Sequence, residues 1–333
     1  MKLVVITGCL GLIGSHVTRR CLELGWKVYG IDKLTYAANT EMLVEFGSRY
    51  GENFKFIKED IANLKYLPDC DYVINIAAES HVGNSIVDSG DFIESNIVGV
   101  KNLLDLIRNK QGNVSDRPIL LHFSTDEVYG DITEGEHIET DLLMPSNPYS
   151  ASKAAADMLI LAWSRTYGIN YLIIRPTNNY GIGQYPEKLI PVSVKLLMRG
   201  KKIKLHNRGE PIRNWLHADD TAQAVITLIL SGVSNEIYNV AGGFEQKNID
   251  TVKQILKEYF REPPKDWEGC KDCKSVEEID WNQYLDLSYV REGQDVRYAL
   301  NDDKLRALGW EAQRRFNHEI GSIVDYYKDN FKW

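Results

Sequence analysis

The sequence predicts an α/β fold: a doubly wound parallel sheet with a smaller C-terminal substrate-binding lobe. Three observations predict it. Short β-branched runs alternate with segments of helical period through the first half of the 333-residue chain. Those runs are apolar almost throughout, as strands covered on both faces must be. A glycine cluster joins the first run to the first helical segment.

In chain order, residues 2–7 form the first strand candidate. Residues 12–24 follow as a helix that stops at Gly25, a residue suited to the left-handed position after a helix. Residues 27–32, 54–58, 71–77, 118–124 and 170–175 are the next strands. Residues 92–107 read as one continuous helix, apolar at Phe92, Ile97, Val100, Leu103, Leu104 and Ile107. After Arg175 the texture changes. Residues 177–181 and 183–186 read as loop, about 190–198 as helix, and 237–240 as one more sheet strand. The expected organisation is a cofactor domain of residues 1–175 plus about 214–245. The substrate lobe takes about 176–213 plus 246–333.

Composition narrows the function classes. Hydrophobic residues make up 44% and charged residues 26%, ordinary globular usage that argues against disorder. A net charge of −8 disfavours nucleic acid as a partner. No apolar run approaches the roughly 20 residues that span a bilayer, so no membrane partner is expected. Met1 to Ile6 is too short for an export signal and runs straight into the glycine motif. The five cysteines are therefore expected as reduced thiols in the cytoplasm. Cys270 and Cys273 form a lone C-x-x-C, which reads as a polar surface loop; no metal site is expected.

Gly8-Cys9-Leu10-Gly11-Leu12-Ile13-Gly14 follows a strand and opens a helix. Glycines there let the backbone turn tightly and approach a pyrophosphate held at the helix N-terminus. Asp32 ends the second strand, where a carboxylate accepts both ribose hydroxyl protons and repels a 2′-phosphate. A Rossmann-type site for NAD rather than NADP follows. Asp60, at the end of the third strand region, is placed to reach the adenine or simply to cap its own strand.

Tyr149 and Lys153 are four residues apart, on one helix face. A free phenol, with a pKa near 10, is no base at neutral pH. Lowering it by about 3 units needs about 4 kcal/mol. One ammonium at ~4 Å and an effective dielectric of ~20 supplies about that much. Ser124-Thr125-Asp126-Glu127-Val128-Tyr129-Gly130 ends a buried strand, where parallel sheets bind ligands. Two adjacent carboxylates beside an apolar run suit acid–base chemistry better than a solvated turn.

These segments, with Asp32-Lys33-Leu34-Thr35 and Ala77-Ala78-Glu79-Ser80-His81-Val82, resemble the extended short-chain dehydrogenase/reductases. More narrowly, the chain is similar to the nucleoside-diphosphate-glucose 4,6-dehydratases. The similarity continues through Asn178-Asn179-Tyr180-Gly181, residues 186–191, Ile212-Arg213-Asn214-Trp215-Leu216 and Arg297-Tyr298, and covers nearly the whole chain.

The resemblance implies an NAD-dependent lyase acting on a nucleoside-diphosphate hexose, with dTDP-glucose expected and UDP-glucose the alternative. A 4-epimerase or decarboxylase stays open as a further reading, and a non-catalytic NAD-binding protein is the last alternative, disfavoured by the presence of Tyr149, Lys153, Asp126 and Glu127 together. Tyr149 would start oxidation at C4, Lys153 would tune it and grip the nicotinamide ribose, and Thr125 would bond the C4 oxygen. Glu127 would remove the C5 proton and Asp126 would protonate the departing C6 hydroxyl. Besides Gly8, Gly11 and Gly14, the cofactor would meet Leu12, Ile13, Asp32, Lys33, Leu34, Thr35, Asp60, Ile61, Ile76, Ala77, Ala78, Glu79, Ser80, Ser95 and Asn179. Ser80, Asn178, Lys188, Leu189, Lys204, His206, Arg213, Asn248 and Arg291 would meet the nucleotide sugar. A homodimer built on paired helices is implied as well.

The chain departs from the family pattern at Cys9, where a small residue is usual, and at Arg291-Glu292-Gly293-Gln294, which replaces Arg-Pro-Gly-His. His206 stands where a tyrosine is common. The stretch between Gly130 and Tyr149 is short.

Overall fold

The structure, a computed structural model, describes residues 1–111, 113–261, 280–291 and 295–330. Its strands are, in chain order, β1 Leu3–Thr7, β2 Lys27–Asp32, β3 Phe54–Lys58, β4 Tyr72–Asn75, β5 Ile119–Phe123 and β6 Tyr171–Pro176. After them come β7 Asn178–Tyr180, β8 Ile203–Lys204, β9 Ile212–His217, β10 Glu236–Val240, β11 Glu245–Lys247 and β12 Leu285–Asp286. Seven of them form one parallel sheet in the order β10-β6-β5-β4-β1-β2-β3. The order reverses direction beside β1, so the crevice between the ends of β1 and β4 is the switch point where such sheets bind ligands.

Two apolar layers cover the sheet. Val4, Ile6, Val28, Ile74, Leu121 and Ile174 face the helices Leu12–Glu23 and Ala218–Ser231. Val5, Val73, Leu120 and Ile173 face the helices Gly99–Arg108 and Pro148–Tyr167. Adjacent strand residues thus point to opposite layers, and every strand is apolar on both sides.

The remainder stands over the carboxyl ends of the strands. A three-stranded sheet β11-β9-β7 and a ribbon of β12 with β8 pack with the helices Leu189–Met198, Asn248–Tyr259 and Phe316–Asp329. β9 belongs to this small sheet, not to the large one. Among the described residues no helix is long and apolar enough to cross a membrane.

The helix expected over 92–107 is not continuous. It runs as Gly90–Ile93, then a π-helical segment Glu94–Val98, then Gly99–Arg108. The wider turn points Ser95 and Asn96 inward, where both are buried. Asn96 accepts from the Glu79 amide at 2.9 Å. Its amide group donates to the Glu79 carbonyl at 3.0 Å and the Ser152 hydroxyl at 2.8 Å. Such bulges cost regular hydrogen bonds and persist where they aim side chains at a site. Cys270, Cys273 and residues 292–294 lie outside the described residues.

Candidate active site

One cavity of about 830 Å³ opens at the carboxyl ends of β1, β2, β4 and β5 and continues beneath the small sheet. Gly8 leaves β1 with φ +65, a conformation that favours glycine. A Cβ on Gly14 would stand 1.9 Å from the Gly8 carbonyl oxygen, so the helix Leu12–Glu23 can start this close to the strand only with glycine there. Cys9, despite its bulk, is fully buried against Gly30 and leaves the loop in place.

Asp32, at the end of β2, accepts from the Leu10 amide at 3.1 Å and the Leu34 amide at 2.9 Å. Burial nonetheless holds its carboxyl above the usual range. Leu34 pays for this turn with φ +62. It packs on the core and does not line the cavity, unlike every other residue assigned above to cofactor or nucleotide sugar. Lys33 donates to Ser95 at 2.8 Å and faces Glu79 at 3.3 Å and Asp60 at 3.6 Å. Asp60 also caps its own turn, accepting from the Ala62 amide at 2.9 Å.

The chemistry-bearing groups converge on the same cavity. Thr125 donates to Asp126 Oδ1 at 3.0 Å, and Asp126 Oδ2 is buried with no partner. Burial first, and then the neighbouring Glu127 charge, push the Asp126 carboxyl up to about 7. Glu127 accepts from Asn147 at 3.3 Å. Its carboxyl is also raised by burial, against the opposing pull of Arg213, Asn147 and Lys188.

Tyr149 and Lys153 sit in the first turns of the helix Pro148–Tyr167, which Asn147 caps by accepting from the Ser150 amide. The expectation of a phenol lowered by Lys153 is not met in the protein alone. Burial and the Glu127 carboxylate hold Tyr149 above the ordinary tyrosine range. Lys153 itself is brought down to about 8 by burial, with Asp157 opposing. A low-dielectric wall weakens both charged forms more than one ammonium strengthens the phenolate.

The far end holds the remaining candidates. Lys188 donates to the Ser80 carbonyl at 2.9 Å. Arg213 donates to the Ile212 and Asp295 carbonyls and stacks over Tyr298 at 4.7 Å. Leu189 and Asn248 begin helices at the rim, and Lys204 and His206 lie beside Tyr289. Buried Asn178 Oδ1 and Arg291 Nε have no partner in the protein, which marks places where a polar ligand belongs. Several lining residues were not singled out as site groups, among them His81, which caps the helix Val82–Val87, Tyr185 and Tyr298. Only aromatic or imidazole character beside recognised motifs could have flagged them.

A segment far along the chain closes this end. Asp131 accepts from the amides of Val296 and Arg297, at 3.0 and 2.7 Å. Around a bridge to Leu300, the His137 amide donates to the Ala299 carbonyl and the His137 carbonyl accepts from the Asn301 amide, both at 2.9 Å. Asp295 takes hydrogen bonds from Ser146 and Tyr298.

Known proteins carry the same pattern. The family model described as GDP-mannose 4,6 dehydratase matches residues 5–322. A dTDP-glucose 4,6-dehydratase of Escherichia coli is 38% identical over 99% of this chain and 94% of its own. One from Streptomyces niveus is 34% identical over the same shares. Among solved structures, DesIV, a dTDP-glucose 4,6-dehydratase from Streptomyces venezuelae crystallised with NAD and TYD bound, superposes with a TM-score of 0.88. It is 32% identical, and the match covers 99% of this chain and 98% of that one. Matched by a family model over nearly its whole length and by relatives of common fold, the chain belongs to the nucleotide-sugar 4,6-dehydratase family.

Proposed function

We propose that the protein converts dTDP-glucose to its 4-keto-6-deoxy product, with NAD as a resident cofactor. The observation that carries this reading is the acid pair. Asp126 and Glu127 line one cavity with Tyr149 and Lys153, and Asp126 has an unpaired oxygen and a proton affinity near neutrality. An oxidoreductase or epimerase has no use for two such carboxyls.

The cleft fits a dinucleotide. The loop 8–14 brings the start of a helix against β1 with no side chain in the way, and Asp32 stands at the strand end to receive a ribose. NAD bound there would supply the redox chemistry, as acceptor of hydride from C4 and its donor to C6. Tyr149 receives the C4 hydroxyl proton, a role that needs more positive charge beside the phenol than Lys153 alone provides. Thr125 bonds the C4 oxygen. With C4 a ketone, the C5 proton becomes acidic, and Glu127 takes it. Asp126 gives its proton to the C6 hydroxyl, which leaves as water, and as hydride returns to C6 Glu127 gives the proton back to C5. Arg213, Lys188 and Arg291 suit the diphosphate, with Asn178, Leu189, Lys204, His206 and Asn248 around the rest of the nucleotide.

The proposal extends to organisation. Residues 1–175 with about 214–245 serve the cofactor, and the rest the substrate, except that β9 joins the substrate side. Ile93, Val98 and Met158 are exposed on the two helical segments expected to pair, which supports a homodimer. Buried, unpaired Cys9 and Cys21 suit the cytoplasm.

The experiment is product mass spectrometry with dTDP-, UDP-, CDP- and GDP-glucose. Loss of one water, fastest from the dTDP sugar, is expected. Unchanged mass with every substrate overturns the reading.

A further inference from the structure

Three polar side chains stand in one row across the three neighbouring strands β1, β4 and β5 of the large sheet. Thr7 on β1 is the strand partner of Asn75 on β4, and Asn75 is the partner of His122 on β5. All three are fully buried. They share the face covered by the helix Pro148–Tyr167, and the row ends on that helix, where His122 Nε2 lies 3.5 Å from Lys153 Nζ. A buried polar row weakens a sheet core unless every group is satisfied. This one is satisfied, and in a single direction.

The direction is fixed at Thr7. Its hydroxyl oxygen accepts from the amides of Ile76 and Ala77, both at 3.2 Å. Its lone pairs are used, so it must donate, and the acceptor is Asn75 Oδ1 at 2.6 Å. The Asn75 amide group is then oriented with Nδ2 toward His122 Nδ1, at 2.9 Å. An amide N–H donates, so Nδ1 is the acceptor and the imidazole proton sits on Nε2. That N–H points at Lys153.

We propose that His122 is a positioning residue for Lys153: held as the neutral Nε2–H tautomer by Thr7 and Asn75, it presents a positive dipole to the amine and weakens its grip on a proton. The inference rests on the role proposed above for Lys153. The other charged or titratable groups near Lys153 are Asp157, one turn on along the same helix and paired with Arg175 at 3.0 Å, and Tyr149, one turn back. Asp157 strengthens proton binding at Lys153. Burial already brings the amine down to about 8 against Asp157, and the His122 N–H, 3.5 Å from Lys153 Nζ, acts on the same side as burial. The row also starts one residue before the glycine loop. Its two backbone donors, Ile76 and Ala77, belong to the cavity wall, so the cofactor side and the amine share one hydrogen-bond chain.

The test uses the NAD-loaded enzyme with nitrogen-labelled histidine and lysine. Long-range proton–nitrogen spectra of the unmodified protein read the His122 tautomer directly, with no variant required to fold. Nε2–H is expected from pH 6 to 9; the Nδ1–H tautomer overturns the proposal. Asn75→Asp supplies an acceptor for Nδ1–H, reverses the tautomer and turns a lone pair toward Lys153. His122→Phe removes the dipole and keeps the ring volume. In both, the Lys153 titration midpoint should rise, by about one pH unit or more in Asn75→Asp. The alkaline limb of kcat/KM should move with it. Lost activity with an unmoved Lys153 midpoint would make the row structural only and overturn the proposal. The assignment of Tyr149 and Lys153 to the redox step is read separately: Tyr149→Phe that still reduces the cofactor refutes that assignment and leaves the tautomer result standing.

Discussion

Asp126 and Glu127 adjoin in sequence and burial raises both carboxyls, yet the groups that act on each differ. Asp126 has an unpaired oxygen and no cation close enough to outweigh burial. Glu127 has Asn147, Arg213 and Lys188 to favour its charged form. Pairs of carboxyls pushed apart in this way divide into acid and base. Glu127→Gln should keep C4 oxidation and block the next step. Losing a positioned base costs about 10²–10⁴ in rate. Stopped-flow absorbance should show reduced nicotinamide accumulating, with slow exchange at C5 in deuterated water. Tyr149→Phe should show no fast absorbance change. Normal turnover in Glu127→Gln would assign the base elsewhere. A second prediction follows from the sign of the Asp126 shift. Its folded pKa, about 7, lies above the unfolded value, 3.8. The folded state binds the proton more tightly, so the Asp126 contribution to stability is fully present below pH 4 and is lost as pH rises to about 7. The loss is of the order of 4 kcal/mol. Asp126→Asn should therefore melt above the parent at pH 8, with the gap closing at pH 5. Equal melting at both values would refute the burial argument. These two residues were legible in sequence because charge beside an apolar strand is anomalous. The Tyr149 electrostatics were not, because desolvation depends on walls that other segments supply.

The strand–glycine–helix unit shows what single atoms do at the scale of an element. A Cβ on Gly14 meets the Gly8 carbonyl at 1.9 Å, whereas one on Gly11 meets nothing closer than 3.5 Å. Gly14→Ala should force the helix off β1, lowering the melting temperature and weakening NAD binding at least tenfold. Gly11→Ala should change folding stability by less than about 1 kcal/mol, gaining from reduced chain entropy what it loses elsewhere. Thermal melts of the two variants decide it. The π-helical segment makes a parallel case. Asn96 is buried, and its side chain ties Glu79 and Ser152 to this turn. Asn96→Ala takes away the side-chain partner of the Glu79 amide and carbonyl, while the Ser152 hydroxyl keeps its bond to the Tyr149 carbonyl. It should cost about 3 kcal/mol in denaturant unfolding and shift the cavity wall at Ser80. The large sheet was legible in the sequence strand by strand, since runs buried on both faces advertise themselves. The bulge was not, because the apolar period across 92–107 is indistinguishable from that of a regular helix. Only the inward Asn96 hydrogen bonds select the wider turn.

For the whole molecule, the exposed apolar residues are unevenly placed. Ile86, Val87, Ile93, Val98 and Met158 lie on or beside the helices that flank one edge of the cavity, and Val87 is 89% exposed. Sedimentation at micromolar concentration should give twice the 38.0 kDa chain mass, and Met158→Glu should return the monomer. A monomer for the parent would contradict the proposed dimer. The division into two functional parts was legible as a change of texture after Arg175. The transfer of β9 to the small sheet was not, because one partner, β7, lies in a stretch whose residues read as loop, and the other, β11, is a short polar strand further along the chain.

The contacts of Asp295 to Asn301 with Asp131, His137 and Ser146 join stretches separated by about half the chain. Synthesis runs from the N-terminus, so the ribosome delivers the sheet, the glycine loop and the acid pair long before their closing segment exists. Until then β9 has its strand partners, but Arg213 lacks the Asp295 carbonyl and the Tyr298 ring that hold its side chain. The order of translation is thus an order of completion: the dinucleotide end of the cavity is encoded first, and the last wall of its far end arrives with the closing segment.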